Sequence, residues 1–461
     1  MGGRGSGVPA SRATAKFDKT LRPSLSMLTS RLSQGITIMA SKPDIWLAAG
    51  LRTPFAKVDG PLKAYDAIAL SVPVVQAMLK QGARPDFAIW GTVIPNLTWS
   101  NIARETLLDA GADPTIPAFS TIMACSTSMI GVIEAAGIID GRGRDLALVG
   151  GVESMSKVQV GASIAFSDWL KGFQAAKTVG QKLAHLAKLK ASDLKLWIPK
   201  VANRTTGLSM GEHTEITAKE WKLARADQDQ IAFESHQNAV KAWEAGFFDD
   251  LVIPVGEVKR DTIPRKDSTL EKLARLKRAF DTTSGQGTLT AGNSSPLTDG
   301  AAAIWVASEA GLARLPATTP RVKLVDYEVT SIDLRSEGLL MAPAYGVPRM
   351  LARNGLKYDD IGLWEIHEAF AAQVLSHIAA WEDETFRRDK AGVDVDLGKF
   401  PRERMNPTGG SLAVGHPFGA TGARILSQAV KELASRPKGE KAVVSICADG
   451  GQGTMMLLEN A

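Results

Sequence analysis

Four residues that can act as nucleophiles or proton carriers stand at the ends of apolar runs, beside glycine or other small residues. They are Cys125 in MACSTS, His367 in EIHEAF, His416 in VGHPFGATG and Cys447 in ICADGGQG. The chain has only two cysteines and six histidines. A single buried cysteine is usually a small core residue, but four reactive residues at matching positions favour one shared site.

These side chains predict acyl transfer on a thioester. Cys125 precedes a predicted helix whose N-terminus would stabilise a thiolate, so it is the candidate nucleophile, and His416 can accept its proton. Cys447 can protonate a carbanion, and His367 can hold a water or donate to an enolate oxygen. We expect the glycines around His416 to let backbone N–H groups and a bulky substrate approach.

Metal binding is the chemical alternative for the same four residues. The chain has neither a CxxC nor an HxxxH spacing, and such local spacings are common among zinc sites. We therefore predict that the protein holds no metal.

Length and composition indicate a globular protein of more than one domain. The chain has 461 residues, 44% of them hydrophobic and 22% charged, which is ordinary for such proteins. The net charge of +5 is compatible with an anionic substrate, a membrane surface or nucleic acid, and selects none of them. Two cysteines cannot cross-link so long a chain, which indicates a reducing compartment. No uninterrupted apolar run reaches transmembrane length.

Alternating strands and helices must position the reactive residues. Apolar runs such as FAIWGTVIP and DLALVGGVES alternate with helical patterns such as NIARETLLDAGA, which predicts an α/β fold with a mainly parallel sheet. The C-terminal third repeats this plan in YDDIGLWEIHEAFAAQVLSHIAA and in GHPFGATGARILSQAVKELASRPKGEKAVVSICADGGQG. We infer an internal duplication whose strand-end loops meet at one place.

Residues 159–285 depart from this plan because they are helical, basic and interrupted by loops. The stretch 166–200 carries seven lysines and two aspartates around Trp169, Phe173 and Trp197. It predicts either a solvated helical lid over the site or a basic amphipathic surface that touches acidic lipid or a partner.

Residues 1–42 are rich in Ser and Arg, and Asp18 is their only acid. They have three interpretations: a disordered leader or over-long start with Met39 as the initiator, an organelle transit peptide, or a myristoylation signal at MGGRGS. We expect a cytoplasmic protein, or a mitochondrial matrix protein if this segment is a transit peptide.

Together these motifs resemble those of the thiolases, the acetyl-CoA acyltransferases. The resemblance runs from about residue 44 to the C-terminus and includes MACSTS, GHPFGATGAR, CADGGQG and the segment AGNSSPLTDGAAA at 291–303. It implies an α/β thiolase fold: two duplicated βαβαβαββ halves in five layers, with an inserted loop domain. The expected parts are an N-terminal half at 43–158 plus 286–318, a loop domain for coenzyme A at 159–285, and a C-terminal half at 319–461.

The resemblance also implies a reaction. Cys125 would be acylated by a 3-oxoacyl-CoA, His416 would accept its proton, and Cys447 would protonate the acetyl-CoA enolate and later activate coenzyme A. One oxyanion hole would pair His416 with a water held by His367, and the other would use the N–H groups of Cys125 and Asp449. Coenzyme A is then a substrate, and no permanently bound cofactor is expected.

Three further positions match substrate-contacting positions of the family. Ser295 and Met210 match the coenzyme A pantetheine region, and Phe370 matches the acyl pocket. Most thiolases have NEAF where this chain has HEAF, with His367. In this respect the chain is similar to the thiolase subunit of trifunctional β-oxidation complexes, a branch in which the basic insert is linked to membrane contact.

Two residues depart from the family pattern. Asp449 stands where thiolases usually have Gly or Ala, and its carboxylate should hinder thiolate formation at nearby Cys447 unless it points to solvent. His213 in MGEHTE is also unusual, and is either a surface residue or a lid residue that faces the site.

The resemblance implies several partners and leaves other functions open. A homodimer or homotetramer is expected, with a hydratase–dehydrogenase subunit and a peripheral membrane contact as further partners, but no nucleic acid. The alternatives are an acetoacetyl-CoA-specific or condensing thiolase, a 3-ketoacyl synthase and an inactive lipid-binding scaffold. The synthases lack the terminal cysteine, and the presence of all four reactive residues argues against the scaffold.

Overall fold

A computed structural model describes residues 43–197, 199 and 201–461, so the interpretations of residues 1–42 lie outside the described residues. The strands are β1 (Ile45–Ala48), β2 (Ala56–Lys57), β3 (Phe87–Gly91), β4 (Ala118–Ser120), β5 (Leu146–Glu153), β6 (Gly161–Ala162), β7 (Leu196–Trp197), β8 (Thr298–Ala307), β9 (Arg321–Ser331), β10 (Leu363–Ile366), β11 (Lys441–Ala448) and β12 (Gln452–Glu459).

The α-helices pack around these strands. They are α1 (Ala67–Leu79), α2 (Ile102–Asp109), α3 (Thr127–Ile138), α4 (Ile164–Ala175), α5 (Val179–Leu186), α6 (Met210–Glu220), α7 (Arg225–Glu244), α8 (Leu270–Ala274), α9 (Glu309–Leu312), α10 (Ala342–Arg353), α11 (Ala371–Glu382), α12 (Ser411–Val414) and α13 (Thr421–Ala434).

One sheet runs through the described residues in the order β4-β3-β5-β8-β1-β9-β12-β11-β10, with β2 also paired to β8. The antiparallel pair β1–β9 divides this sheet into two halves, here called its two sides, whose strand pairings repeat each other. On each side a parallel pair, β3–β5 or β10–β11, is followed by an antiparallel one, β5–β8 or β11–β12. Strand β4 pairs in parallel with β3. At the corresponding place on the other side, β10 forms the isolated parallel bridge Trp364–Met405. These matching pairings confirm the predicted duplication.

The expectation of a mainly parallel sheet is wrong. Among the described strands only β3–β4, β3–β5 and β10–β11 pair in parallel. The glycine pair after β11 provides the reason, since Gly450 and Gly451 have φ values of 92° and 74° and turn the chain straight into β12. So short a connection can join only antiparallel strands.

The two sides meet through helices that precede β5 and β11. Helix α13 lies against α3 at Gly422, where a Cβ atom would be 2.4 Å from the Met129 backbone nitrogen. Apolar side chains of both helices belong to one buried core that extends across the sheet. The starts of α3 and α13 follow Cys125 and His416 in the chain, so this packing draws these two residues towards the same place.

The segment 159–285 contributes unequally to the core. Helices α4 and α5 bury none of their residues fully, whereas Ala239, Ala242 and Trp243 of α7 lie in the main core. The boundaries of the proposed loop domain stay a prediction. No helix among the described residues is both long and apolar enough to cross a membrane.

Candidate active site

The structure brings the four predicted reactive residues together. Ligand atoms of Cys125, His367 and His416 all lie within 4.8 Å of one another, and the ring centroids of the two histidines are 4.2 Å apart. Cys447, the penultimate residue of β11, lines the same cavity as Cys125 and His416. A thiol and two imidazoles at this distance could also hold a metal ion, so the expected absence of a metal stays a prediction.

A strained turn presents Cys125. The preceding residue, Ala124, has a φ of 45°, a left-handed conformation that non-glycine residues adopt only under constraint. Thr127 holds the turn, because its Oγ1 donates to the Ala124 carbonyl (2.8 Å) and accepts from the Met123 N–H (2.9 Å). Ser126 Oγ is hydrogen-bonded to Thr454 Oγ1 of β12 at 2.6 Å. The nucleophile is thereby fixed to both sides of the sheet.

The contacts of His416 leave it a free base nitrogen. Its backbone N–H donates to Thr298 Oγ1 (3.0 Å), and its Nδ1 lies 2.7 Å from Thr421 Oγ1, which itself donates to the Pro417 carbonyl (3.1 Å). Thr421 therefore accepts from the His416 Nδ1–H, and the lone pair lies on Nε2. Burial, with a smaller contribution from Arg424, lowers the pKa of His416 to about 3, so the imidazole is neutral at physiological pH.

The glycines of GHPFGATG serve packing between the two sides of the sheet. A Cβ on Gly419 would lie 2.6 Å from the Val152 carbonyl oxygen and 2.9 Å from that of Gly91. Gly422, at the α3–α13 contact, is equally enclosed. Our expectation that the glycines admit a bulky substrate is therefore wrong for these two residues: they admit the backbone of the other half of the protein.

Both thiols are protonated at rest. Burial, followed by the charge of the Asp449 carboxylate, raises the pKa of Cys125 to about 12, although the backbone N–H groups of Asp449 and Cys125 oppose this rise. Burial, with a contribution from Cys125, raises the pKa of Cys447 well above its ordinary value. Burial outweighs the stabilisation that these N–H groups give, so Cys125 keeps its proton at rest, and its role as the nucleophile stays a prediction. The carboxylate of Asp449 acts on Cys125 rather than on Cys447, contrary to our expectation.

A cavity of about 210 Å³ opens in front of these thiols. All four predicted substrate-contacting residues line it, namely Ser295, Met210, Phe370 and Asp449. His367 is fully buried and is not among the residues that line the cavity, although its ring lies next to that of His416. The sequence analysis missed further apolar lining residues, among them Val93, Ile94, Met155, Val158, Leu340 and Phe418. Of these, only Phe418 could have been predicted from the sequence, because it lies two residues after His416. In the structure its ring centroid is 5.0 Å from the imidazole.

His213 is not a surface residue. It is buried, and its Nε2 lies 2.7 Å from Thr206 Oγ1. Burial lowers the pKa of His213, and the nearby charge of Asp449 opposes this shift. Asp449 in turn accepts a hydrogen bond of 2.8 Å from Asn203 Nδ2. The surface interpretation is therefore wrong, and the alternative of a lid residue that faces the site stays a prediction.

Comparisons with known proteins show the family of this chain. The family model described as "Thiolase, N-terminal domain" matches residues 45–310, and "Thiolase, C-terminal domain" matches residues 318–460. A protein of Shewanella halifaxensis named 3-ketoacyl-CoA thiolase is 37% identical over 425 residues, which are 90% of this chain and 96% of that protein. A protein of the same name from Pectobacterium carotovorum is 37% identical over 439 residues, 93% of this chain and 99% of that one.

Solved structures give the same result. The acetyl-CoA acetyltransferase of Bacillus anthracis aligns with a TM-score of 0.72 at 29% identity, over 91% of this chain and 99% of that one. A thiolase from Ascaris suum, solved with coenzyme A, also aligns at 0.72, with 27% identity over 91% of this chain and 100% of that one. The chain belongs to the thiolase family, and the predicted α/β thiolase fold is confirmed.

Proposed function

We propose that the protein is a 3-ketoacyl-CoA thiolase. It cleaves a 3-oxoacyl-CoA with coenzyme A, giving acetyl-CoA and an acyl-CoA shortened by two carbons, as fatty-acid β-oxidation requires. One observation carries the proposal: two protonated thiols, Cys125 and Cys447, face one cavity beside an imidazole nitrogen, His416 Nε2, that has no hydrogen-bond partner among the described residues. One thiol can act as the nucleophile, the other as an acid, and the imidazole as the base. This set suits a reaction that first releases acetyl-CoA and then consumes the thioester formed on the enzyme.

In the first half-reaction Cys125 Sγ attacks the 3-keto carbon, and its proton passes to His416 Nε2. The bond between the second and third carbons then breaks, the acyl group remains on Cys125, and acetyl-CoA leaves as an enolate. The Cys447 thiol supplies the proton that this carbanion needs. A raised pKa suits Cys447 for this step, because a thiol that is protonated at rest is ready to act as the acid.

In the second half-reaction the Cys447 thiolate takes the proton of incoming coenzyme A. The coenzyme A sulfur attacks the acyl carbonyl, and the Cys125 sulfur leaves and recovers its proton from His416. The backbone N–H groups of Asp449 and Cys125 already act on the Cys125 sulfur, and we propose that they stabilise the thioester oxyanion during both steps.

The remaining lining residues are proposed to hold the substrate. Ser295 and Met210 would contact the pantetheine, and Phe370, whose ring packs edge-on against Phe280 at 5.8 Å, would border the acyl chain. Since Met210 begins α6, the segment 159–285 would act as the loop domain that binds coenzyme A. The mostly apolar lining favours an acyl chain over a short polar substrate.

The decisive experiment compares a series of 3-oxoacyl-CoA substrates, from acetoacetyl-CoA to long chains, in wild type and two variants. Wild type should cleave the longer substrates and form an acyl adduct visible by intact mass. Cys125→Ser should lose both cleavage and adduct, whereas Cys447→Ser should form the adduct but turn over slowly. Cleavage of acetoacetyl-CoA alone would favour the acetoacetyl-CoA-specific alternative, and near-normal rates in Cys125→Ser would contradict the mechanism.

For the partners, we propose first a homodimer formed through the edge of the sheet at β4. On this strand only the β3 side is paired among the described residues, and Phe119 and nearby Ile122 are 38% and 65% exposed. An open edge with exposed apolar side chains is a typical pairing surface. Ile122→Asp should convert the dimer to a monomer in sedimentation equilibrium, and an unchanged mass would exclude this interface.

We also propose that the insert contacts an anionic membrane. Trp169 stacks between Phe166 and Phe173 inside the insert, whereas Ile164, Val179 and Leu183 are 81%, 76% and 62% exposed beside its lysines. This pairing of apolar and basic groups suits an interfacial surface.

Binding to vesicles of anionic phospholipid should weaken in Val179→Asp. It should be unchanged in Val395→Asp, a control that is 53% exposed outside the insert. Equal binding by both variants would exclude the insert as the contact. A cytoplasmic or mitochondrial matrix location, where thiols stay reduced, suits an enzyme that needs both cysteines free.

A further inference from the structure

A ring nitrogen of His367 lies within 4.8 Å of Cys125 and His416, and the protonation of its Nε2 decides what this histidine can do. Its side chain is fully buried, and its Nε2 has no hydrogen-bond partner among the described residues. If Nε2 carries a proton, His367 can donate to a substrate oxygen. If Nε2 carries the lone pair, it is a second base beside His416 and repels that oxygen.

The other ring nitrogen is bonded to a serine that is itself bonded. His367 Nδ1 lies 2.9 Å from Ser411 Oγ, and Arg424 Nη2 donates to the same oxygen at 2.7 Å. A guanidinium can only donate, so Ser411 must accept from Arg424. His367 Nδ1 is the remaining side-chain partner of Ser411 among the described residues, and it is therefore where the hydroxyl hydrogen goes.

The opposite arrangement is unfavourable. If Nδ1 carried the proton, Ser411 Oγ would accept from both neighbours and its own hydrogen would be buried without a partner. Leaving such a donor unsatisfied favours the other tautomer by roughly fivefold to 150-fold, the equivalent of about 1–3 kcal/mol.

We propose that Arg424 and Ser411 are positioning residues that hold His367 with its proton on Nε2, as a neutral hydrogen-bond donor to the oxygen of the enolate and of the thioester. This inference rests on the proposed thiolase function for the identity of that oxygen. The tautomer itself follows from the contacts alone.

The Arg424 guanidinium is a permanent donor because it stays charged although it is buried. Arg424 is 2% exposed, and burial lowers its pKa to about 10 while the charges of Glu365 and Glu368 support it. The group therefore stays charged at physiological pH. Its Nη1 also lies 3.4 Å from Gln428 Oε1, so the guanidinium is held on two sides.

The neighbouring histidine has the opposite arrangement. Thr421 donates its hydroxyl hydrogen to a backbone carbonyl and so accepts from His416 Nδ1–H. Ser411 accepts from Arg424 and so donates to His367 Nδ1. Of the two adjacent imidazoles, His416 thus carries a lone pair on Nε2 and His367 carries an N–H there, and the hydroxyl group bonded to each ring decides which of the two it is.

The direct test is nitrogen-15 NMR of the imidazoles in histidine-labelled protein, with the His367 signals identified by their loss in His367→Gln. Wild type should show His367 protonated at Nε2 and not at Nδ1. Ser411→Ala should give a mixture of tautomers or protonation at Nδ1, and Ser411→Thr should restore the wild-type pattern. Protonation at Nδ1 in wild type would overturn the proposal, and this spectrum decides even if Ser411→Ala fails to fold.

Kinetics provide the second measurement. Loss of one oxyanion donor typically lowers kcat by about a hundredfold or more, so the partial loss in Ser411→Ala should lower kcat by at least tenfold with little change in KM for coenzyme A. Ser445→Ala is the matched control, because the Oγ of this buried serine has no hydrogen-bond partner among the described residues. Ser445 also lies close to His367, since it pairs with Ile366 on the neighbouring strand and its carbonyl accepts the His367 N–H at 2.8 Å.

Equal kcat losses in Ser411→Ala and Ser445→Ala would reduce Ser411 to a packing role and overturn the proposal. A wild-type protein with the expected tautomer but no thiolase activity would support the positioning of His367 and contradict the proposed function instead.

Discussion

Replacing the Asp449 carboxylate by an amide should make Cys125 more reactive. The charge of Asp449 is second only to burial in raising the pKa of Cys125, and Asp449→Asn removes the charge while keeping the shape. The amide oxygen can still accept from Asn203 Nδ2, which now lies 2.8 Å away. Burial remains, so the pKa should fall without reaching its ordinary value.

The size of the effect follows from Coulomb's law. Since the Asp449 backbone N–H acts on the Cys125 sulfur, the carboxylate of the same residue lies on the order of 6 Å from that sulfur. A unit charge at that distance contributes about 0.7–3 kcal/mol for effective dielectric constants of about 80 to 20, or about 0.5–2 pKa units. Each unit raises the thiolate population about tenfold but lowers its nucleophilicity about threefold. Reaction with a disulfide should therefore accelerate about two- to twelvefold.

The assay is the rate of reaction with a neutral dipyridyl disulfide between pH 7 and 9, with peptide mass mapping to separate Cys125 from the buried Cys447. Asp109→Asn, which removes an exposed carboxylate from α2 outside the cavity, is the control and should react like wild type. A rate for Asp449→Asn equal to or below that of the control would refute the electrostatic argument.

The remaining predictions concern stability. Gly419→Ala should lower the free energy of unfolding by about 2–3 kcal/mol, because its Cβ would meet two carbonyl oxygens within 3 Å. Gly137→Ala, in open space on α3, should instead raise it by about 0.5 kcal/mol in the same denaturant titration; equal effects would refute the packing argument.

Burial lowers the pKa of His377 to about 4. Between pH 6.5 and 4 this imidazole therefore binds a proton in the unfolded state but not in the folded state. Wild type should lose about 1.4 kcal/mol per pH unit more than His377→Gln over this range, and parallel pH profiles would contradict this.

The sequence predicted the reactive residues of the site better than the contacts that set their pKa values and protonation. Cys125, His367, His416 and Cys447 were recognisable because reactive residue types recur beside small residues at repeated positions, and such local patterns carry over into the fold. The duplication was visible for the same reason, since strand and helix periodicities are local. The antiparallel direction of β12 relative to β11 was also visible in the sequence, because Gly450 and Gly451 form a tight turn. It is predicted only if these two glycines are interpreted as a hairpin turn.

What the sequence could not predict depends on contacts between distant residues. The enclosure of Gly419 by Val152 arises from packing between the two sides of the sheet, for which no local spacing exists. The raised pKa of Cys125 depends on how much protein covers it. Ser411 and His367 are 44 residues apart, and neither the serine nor Arg424 is distinguished by its neighbours in the chain.

The central pairing of β1 with β9 has a consequence for synthesis on the ribosome. The first strand of the described chain pairs with residues beginning at Arg321, so one edge of β1 stays open until the chain has grown far beyond it. Long-range pairing of this kind slows folding, and an open edge invites aggregation. His367, His416 and Cys447 emerge later still, so the nascent chain carries the nucleophile Cys125 before any residue that controls it, and the same late docking that closes the edge also completes the site.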